Sequence, residues 1–222
     1  MGTPVNLKKS ALQVSIINTI STGLGFAFHI FLGRHFGISW ELDCLFIALL
    51  IFSFFGIFNN FITSLLIPVF NEIKSKDEKE AFEFADVIFK LSLLIGVIIW
   101  FSVLNFSPVI INLFASGFDK RSAELSASLL KIVFWGYIFN NLTVSISGIL
   151  NAGYLFFVPV FSGLLVPILN FAALFILVPE YGVKGIAISY AVSNTLQAVI
   201  SISYLFVKTP WRPTLKIYHN KL

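Results

Sequence analysis

The sequence predicts an all-α, polytopic membrane protein with six transmembrane helices. Three observations carry that reading. Of 222 residues, 57% are hydrophobic and only 12% charged, where a soluble domain carries about 25% charge, and the mean hydropathy is +0.90. The charges are confined, leaving uncharged runs at 10–33, 44–71, 91–118, 132–179 and 185–207. A bilayer core takes about 20 apolar residues per helical crossing, so four runs supply one crossing each and the 48-residue run supplies two.

The first helix is predicted over 10–35, after Lys8 and Lys9. Its apolar run is too long for a signal-peptide core and no small-x-small cleavage site closes it, so it is expected to be retained. Gly23, Gly25, Ala27, Gly33 and Gly37 would permit close helix approach or a bend. The second helix, 43–70, runs into the hydrophilic segment Asn71–Glu80, whose mixed charges read as a solvated turn. The third, 83–107, is predicted to stop at Pro108, because the residue before a proline is pushed out of the α region. That leaves Val109–Phe118 as a short apolar segment at the interface. The fourth helix, 125–150, ends at the turn signal Asn151-Ala152-Gly153-Tyr154. Pro159 and Pro167 interrupt the fifth, 156–178, as kinks or as gating hinges. The sixth covers 183–207. Residues 1–207 thus form one six-helix transmembrane unit, and 208–222 a basic tail with Trp211 as an interfacial anchor.

With the N-terminus inside, nine Lys and Arg fall in cytoplasmic segments (8, 9, 74, 76, 79, 208, 212, 216 and 221) and four in outer ones (34, 120, 121 and 184). The positive-inside rule then places both termini in the cytoplasm. The same distribution accounts for the net charge of +4 without a nucleic-acid partner. A single cysteine, Cys44, excludes an intramolecular disulfide and reads as a small apolar filler.

No enzyme constellation is present. His29, His35 and His219 are the only histidines, no HExxH or His/Cys pair occurs, and helical carboxylates are too few for paired acid–base chemistry. Catalytic residues, metal site and cofactor are all predicted as none. The helices carry uncharged polar residues instead: Asn18, Thr19, Ser21, Thr22 and His29 in the first; Asn59, Asn60, Thr63 and Ser64 in the second; Asn140, Asn141, Thr143, Ser145 and Ser147 in the fourth; Asn170 in the fifth; Ser193, Asn194, Thr195 and Gln197 in the sixth. Buried in hydrocarbon, such groups hold helices together or line a hydrated cavity. Arg34 and Lys131 sit close enough to helix ends to snorkel.

The order of several short motifs narrows the reading. Ser21-Thr22-Gly23-Leu24-Gly25-Phe26-Ala27, Gly33-Arg34-His35-Phe36-Gly37, Asp43-Cys44-Leu45-Phe46-Ile47-Ala48, Ile67-Pro68-Val69-Phe70-Asn71-Glu72, Ala115-Ser116-Gly117-Phe118, Gly148-Ile149-Leu150-Asn151-Ala152 and Pro167-Ile168-Leu169-Asn170 follow one another. In that order they resemble the N-terminal lobe of the MurJ/MviN lipid II flippases, within the multidrug/oligosaccharidyl-lipid/polysaccharide exporter superfamily. The resemblance spans nearly the whole chain. It implies one lobe of a two-lobe carrier working by alternating access in the bacterial cytoplasmic membrane. The implied substrate is an undecaprenyl-pyrophosphate-linked glycan, and the implied partners are this lipid-linked oligosaccharide, membrane lipid and a second lobe, from self-association or a separate chain. It also implies Arg34 and Asp43 as substrate-binding residues at the outer part of a cavity, with His29 a third. The family carries arginines at positions matching Thr22 and Phe28, an acid at the position matching His29, and a further arginine near Phe54 or Phe55; here they are replaced. Carriers of a lipid-linked exopolysaccharide or O-antigen unit, and a truncated non-transporting membrane interaction protein, stand as alternatives.

Overall fold

The computed structural model describes residues 7–153 and 155–212. The side chains of residues 7–10, 58 and 60–63 lie outside the described residues, and with them the expectations for Lys8, Lys9, Asn60 and Thr63; so do Tyr154 and everything from 213 on. The helices are α1 (Leu7–Phe36), α2 (Trp40–Lys76), α3 (Glu78–Phe114), α4 (Lys120–Ala152), α5 (Phe157–Gly163), α6 (Leu165–Ile176), α7 (Val178–Tyr181) and α8 (Val183–Lys208). Among the described residues, six stretches are long and apolar enough to cross a membrane, α5 and α6 together making the fifth.

The bundle is organised around α4, which packs on α2, α3 and α8. Its spanning window is 67% buried, against 6% for that of α1. Small residues allow the approach. A Cβ on Gly136 of α4 would lie 3.0 Å from the Ala191 Cα of α8, and one on Gly96 of α3 would lie 3.1 Å from the Ile138 Cα of α4. Lipid tails are as apolar as leucine, so close van der Waals packing and interhelical hydrogen bonds supply the association energy. The core has two apolar clusters at opposite ends of the bundle, one around Leu45, Leu130, Phe134 and Ile186, the other around Phe70, Ala85, Ile149 and Leu205.

A polar layer separates them. Asn59 Nδ2 of α2 donates to Asn140 Oδ1 of α4 at 3.1 Å, and Asn140 Nδ2 donates to Asn194 Oδ1 of α8 at 3.2 Å. The chain ends where Asn194 Nδ2 donates to the Tyr190 carbonyl at 2.7 Å. On the other side of α4, Asn141 Nδ2 donates to the Ser92 carbonyl of α3 at 2.9 Å, and the Ser92 and Ser145 hydroxyls share a hydrogen bond. Ser189 Oγ donates to Asn170 Oδ1 at 2.8 Å, joining α8 to α6. These amides therefore act as interhelical ties. Thr143 and Thr195 instead donate to carbonyls of their own helices. Cys44 is buried, as a filler should be, and its Sγ also donates to the Ser122 carbonyl at 3.3 Å.

Several expectations require correction. The third helix runs through Pro108 to Phe114 with Ile111 fully buried, so 109–114 continues the helix instead of forming a separate segment. Pro108 costs one backbone hydrogen bond, to Leu104, which packing of the flanking turns on the bundle outweighs. The 71–80 segment is almost wholly helical; only Asp77 leaves the helix. Its N–H caps α2 through the Ile73 carbonyl, while its Oδ1 accepts from the Lys79 and Glu80 N–H groups at 2.7 and 3.2 Å to start α3. Nothing lies within 4 Å of a Cβ built on Gly23, Gly25 or Gly33, so the first-helix glycines mediate no close approach here. Gly37, at φ +60°, ends α1. Trp211 is buried, packed on Phe89 and Phe206 at ring distances of 5.2 and 5.1 Å, instead of anchoring at lipid. The fifth crossing does break, but at Leu164: Pro167 has no N–H for the Gly163 carbonyl, and Leu164 N–H is shared between the Val160 and Phe161 carbonyls, both at 3.2 Å.

Two substitutions of the same type should therefore have opposite signs. Gly136→Ala drives a methyl into the α8 backbone and is expected to lose roughly 1–3 kcal/mol. Gly56→Ala, with nothing within 4 Å, should gain up to about 1 kcal/mol from helix propensity. Thermal unfolding of the purified chain in detergent reads both, and equal shifts would contradict the α4–α8 contact. Asn140→Leu removes two interhelical bonds at once and should cost about 1–2 kcal/mol in the same assay; an unchanged melting temperature would show that the amide chain carries no stability.

Candidate functional site

The helix that stands apart is α1. It lies against α5 and α6 and makes no comparable packing with α2 or α4. Its inward stripe, Val14, Ile17, Ser21, Leu24, Phe28 and Leu32, recurs every three or four residues, as one face of a helix must. The remaining face includes Asn18, Thr19, Thr22 and His29, all exposed within an otherwise apolar crossing. Thr19 Oγ1 satisfies itself on the Ser15 carbonyl at 2.9 Å. Phe28 and Leu32 are buried in the apolar cluster that also holds Leu42 of α2, so α1 is fixed at its C-terminal end. Its N-terminal half is held only by the edge of the bundle.

The three expected site residues lie around this helix. His29 is exposed on α1, its ring edge-on to Phe28 at 5.2 Å. Arg34 is exposed in the last turn of α1, and Asp43 is exposed in the first turn of α2. A cation at a helix C-terminus and an anion at an N-terminus both complement the helix dipole. The structure brings Arg34 and Asp43 to the same end of the bundle without joining them: among the described residues the ion pairs are Lys74–Glu78, Lys76–Glu72 and Lys90–Asp86. Five helical residues separate His29 from Arg34, so they diverge by about 140° at 3.6 residues per turn. His29 thus belongs to the mid-helix polar face, and Arg34 to the rim.

Two features escaped the sequence reading. Asp86 of α3 is buried, its side chain 7% exposed, and its Oδ2 takes Lys90 Nζ at 2.7 Å. A carboxylate inside a crossing is tolerated when paired in this way, and the i,i+4 Asp–Lys spacing was the available signal. The second is a cavity of about 700 Å3 where α1 ends and α2, α4 and α8 begin. Its residues come from four separate segments, so no local motif announces it. Nearby, Asp119 caps α4; hydrogen bonds from the Ser122 hydroxyl and N–H hold its carboxyl below the usual carboxylate range. Among the described residues no three His, Cys, Asp or Glu side chains converge as a metal site.

Comparison with known proteins gives this arrangement a context. The sequence profile of the family described as "Lipid II flippase MurJ" matches residues 32–220. A "Probable lipid II flippase MurJ" from Buchnera aphidicola subsp. Schizaphis graminum is 28% identical over 221 residues, covering 91% of this chain and 41% of that protein. "Lipid II flippase MurJ" from Thermosipho africanus is 30% identical over 206 residues, covering 89% and 42%. The solved structure "Lipid II flippase MurJ, inward closed conformation" superposes with a TM-score of 0.77 at 26% identity, over 92% of this chain and 44% of that one. An outward-facing MATE transporter of the MOP superfamily shares the fold, with a TM-score of 0.73 at 22% identity. The chain spans less than half the length of these relatives. Matched by the family profile over most of its length, this multi-pass membrane chain belongs to the lipid II flippase MurJ family and corresponds to its N-terminal half.

Proposed function

We propose that this chain is one lobe of a flippase carrying undecaprenyl-pyrophosphate-linked glycan precursors, lipid II or a close relative, across the bacterial cytoplasmic membrane. The observation that carries the proposal is the exposed polar face of α1. Asn18, Thr22 and His29 have no reason to face hydrocarbon, where unsatisfied polar groups are costly. Covered by a second lobe, the same face becomes one wall of a hydrated path. The relatives' names and the coverage of about 41–44% of their length support the same reading. A charged, glycosylated headgroup cannot cross ~30 Å of hydrocarbon unaided, and a polar wall lowers that barrier. Arg34 and Asp43 sit at the rim of this wall and His29 within it.

The face of α1 does not by itself neutralise a pyrophosphate. Between Ala11 and Gly33 the polar face of α1 carries no Lys or Arg. Thr22 is exposed without charge, and Phe28 is buried at 2% exposure. The cations for a pyrophosphate then come from Arg34 or from the second lobe, by self-association or from a separate chain. A related polyprenyl-linked exopolysaccharide unit would use the same wall.

Crosslinking in native membranes should trap the 24.8 kDa chain with a second lobe: a doubled mass means self-pairing, another increment a partner chain. Flipping of lipid-linked glycan by the monomeric chain alone in liposomes would refute the two-lobe requirement. At equal protein level, Arg34→Lys should lower transport by about tenfold, because lysine cannot reproduce bidentate phosphate contacts; unimpaired transport by Arg34→Ala discards the assignment. Both termini are proposed to be cytoplasmic. In a Cys44→Ser background, an impermeant thiol reagent on intact cells should then label Ser116→Cys and spare Ser75→Cys, two exposed positions at opposite ends of the bundle; the reverse pattern inverts the topology.

A further inference from the structure

The cavity of about 700 Å3 adjoins Arg34 and Asp43 in the chain but is lined by neither, nor by Asn18, Thr22 or His29, and the transport reading does not use it. Its volume falls within the ~300–1,000 Å3 of small-molecule sites. Charged side chains of both signs line it: Arg121 from α4, Lys184 from α8, Glu41 from α2 and Glu180 from α7. Among the described residues the ion pairs within 4.0 Å all lie elsewhere. The four charges thus share one cavity without neutralising one another. Arg121 is held in place, its guanidinium 4.3 Å from the centre of the Trp40 ring. Leu125 and Val183 line the same cavity and pack into the apolar core, giving it an apolar floor.

We propose that this cavity binds the headgroup of a zwitterionic phospholipid of the phosphoethanolamine class. The phosphodiester would face Arg121 and Lys184, and the ammonium Glu41 and Glu180. Three features select this occupant. The cavity lies where α1 ends and α2, α4 and α8 enter their apolar crossings, which is the headgroup level of one leaflet. Two cations face two anions, with His35 counted neutral, so a net-neutral dipolar headgroup fits, whereas an anionic headgroup or free phosphate meets two uncompensated carboxylates. The exposed ring of Tyr181 offers the ammonium an aromatic face in addition. The proposal does not depend on which glycan is carried, or on transport at all.

Native mass spectrometry of the purified 222-residue chain tests it, with palmitoyl-oleoyl phosphatidylethanolamine, palmitoyl-oleoyl phosphatidylglycerol and the matching diacylglycerol offered at equal concentration. Wild type should retain phosphatidylethanolamine about tenfold over the other two. Glu41→Gln with Glu180→Gln should erase the preference over phosphatidylglycerol. Arg121→Ala with Lys184→Ala should reduce both phospholipids to the diacylglycerol level. If either double variant fails to fold, the exposed single substitutions Glu180→Gln and Lys184→Ala carry the same test with smaller shifts. Equal retention of all three lipids by wild type overturns the proposal, as does unchanged selectivity in the variants. Displacement of the lipid by millimolar inorganic phosphate overturns it too, by revealing a general anion site.

Discussion

The hydrogen-bonded amide chain Asn59–Asn140–Asn194 is the interaction on which the rest of this bundle depends. In water, apolar burial would assemble helices and leave their register adjustable. In lipid that driving force is absent between helices, so ties at fixed depth and close small-residue contacts must do both jobs. Asn140 ties α4 to α2 and α8, and its neighbour Asn141 ties α4 to α3 on another face. Adjacent residues on a helix point about 100° apart, which is what lets two successive asparagines serve two different interfaces. Gly96 and Gly136 then let α3 and α8 approach until these short side chains reach. The amides need the glycines, and the glycines alone would not set depth.

The lobe is unequal in consequence. α2, α3, α4 and α8 form a tied block with polar anchors at mid-depth. α1 hangs on α5 and α6, which reach α8 through Ser162–Ser201 at 3.3 Å and Asn170–Ser189. The crossing that carries α1 is also the one broken at Leu164, where proline withdraws a backbone donor. The helix with the exposed polar face is therefore supported by the least continuous crossing, and every strong tie lies on the far side of it. The exposed polar face thus sits on the part of the bundle with the fewest interhelical ties among the described residues, which suits the wall of the proposed two-lobe carrier.

The six crossings were legible because lipid imposes them: the gaps between charges measure helix lengths directly. Boundaries were less legible, since polar residues at helix ends look like loop. Asp77 alone turns the chain between α2 and α3, and the nine residues around it are helical despite six charges. Pro108 misled for a related reason. The pre-proline bias is local, and Ile111 shows that packing beyond the proline decides. Polar residues were legible as a set, not in their roles. Asn140 and Asn18 are the same residue type on apolar helices, yet one is tied and the other exposed, a difference set by which helix α4 meets. The 700 Å3 cavity was illegible altogether, because 41, 121, 180 and 184 converge only after folding.

Charge placement closes the argument about what this half does alone. An Asp86–Lys90 pair lies on α3 and Lys131 on α4, while the polar face of α1 is uncharged along its crossing. A pyrophosphate presented to that face finds hydroxyls, an amide and an imidazole, which hydrogen-bond but do not neutralise. The two negative charges of a pyrophosphate esterified at both ends would need counter-charge in the low-dielectric environment where it is strongest. On the proposed reading, Arg34 would supply one cation at one end of the path. On the proposed two-lobe reading the remainder would come from the wall that covers α1, and selectivity would rest as much on that wall as on this one.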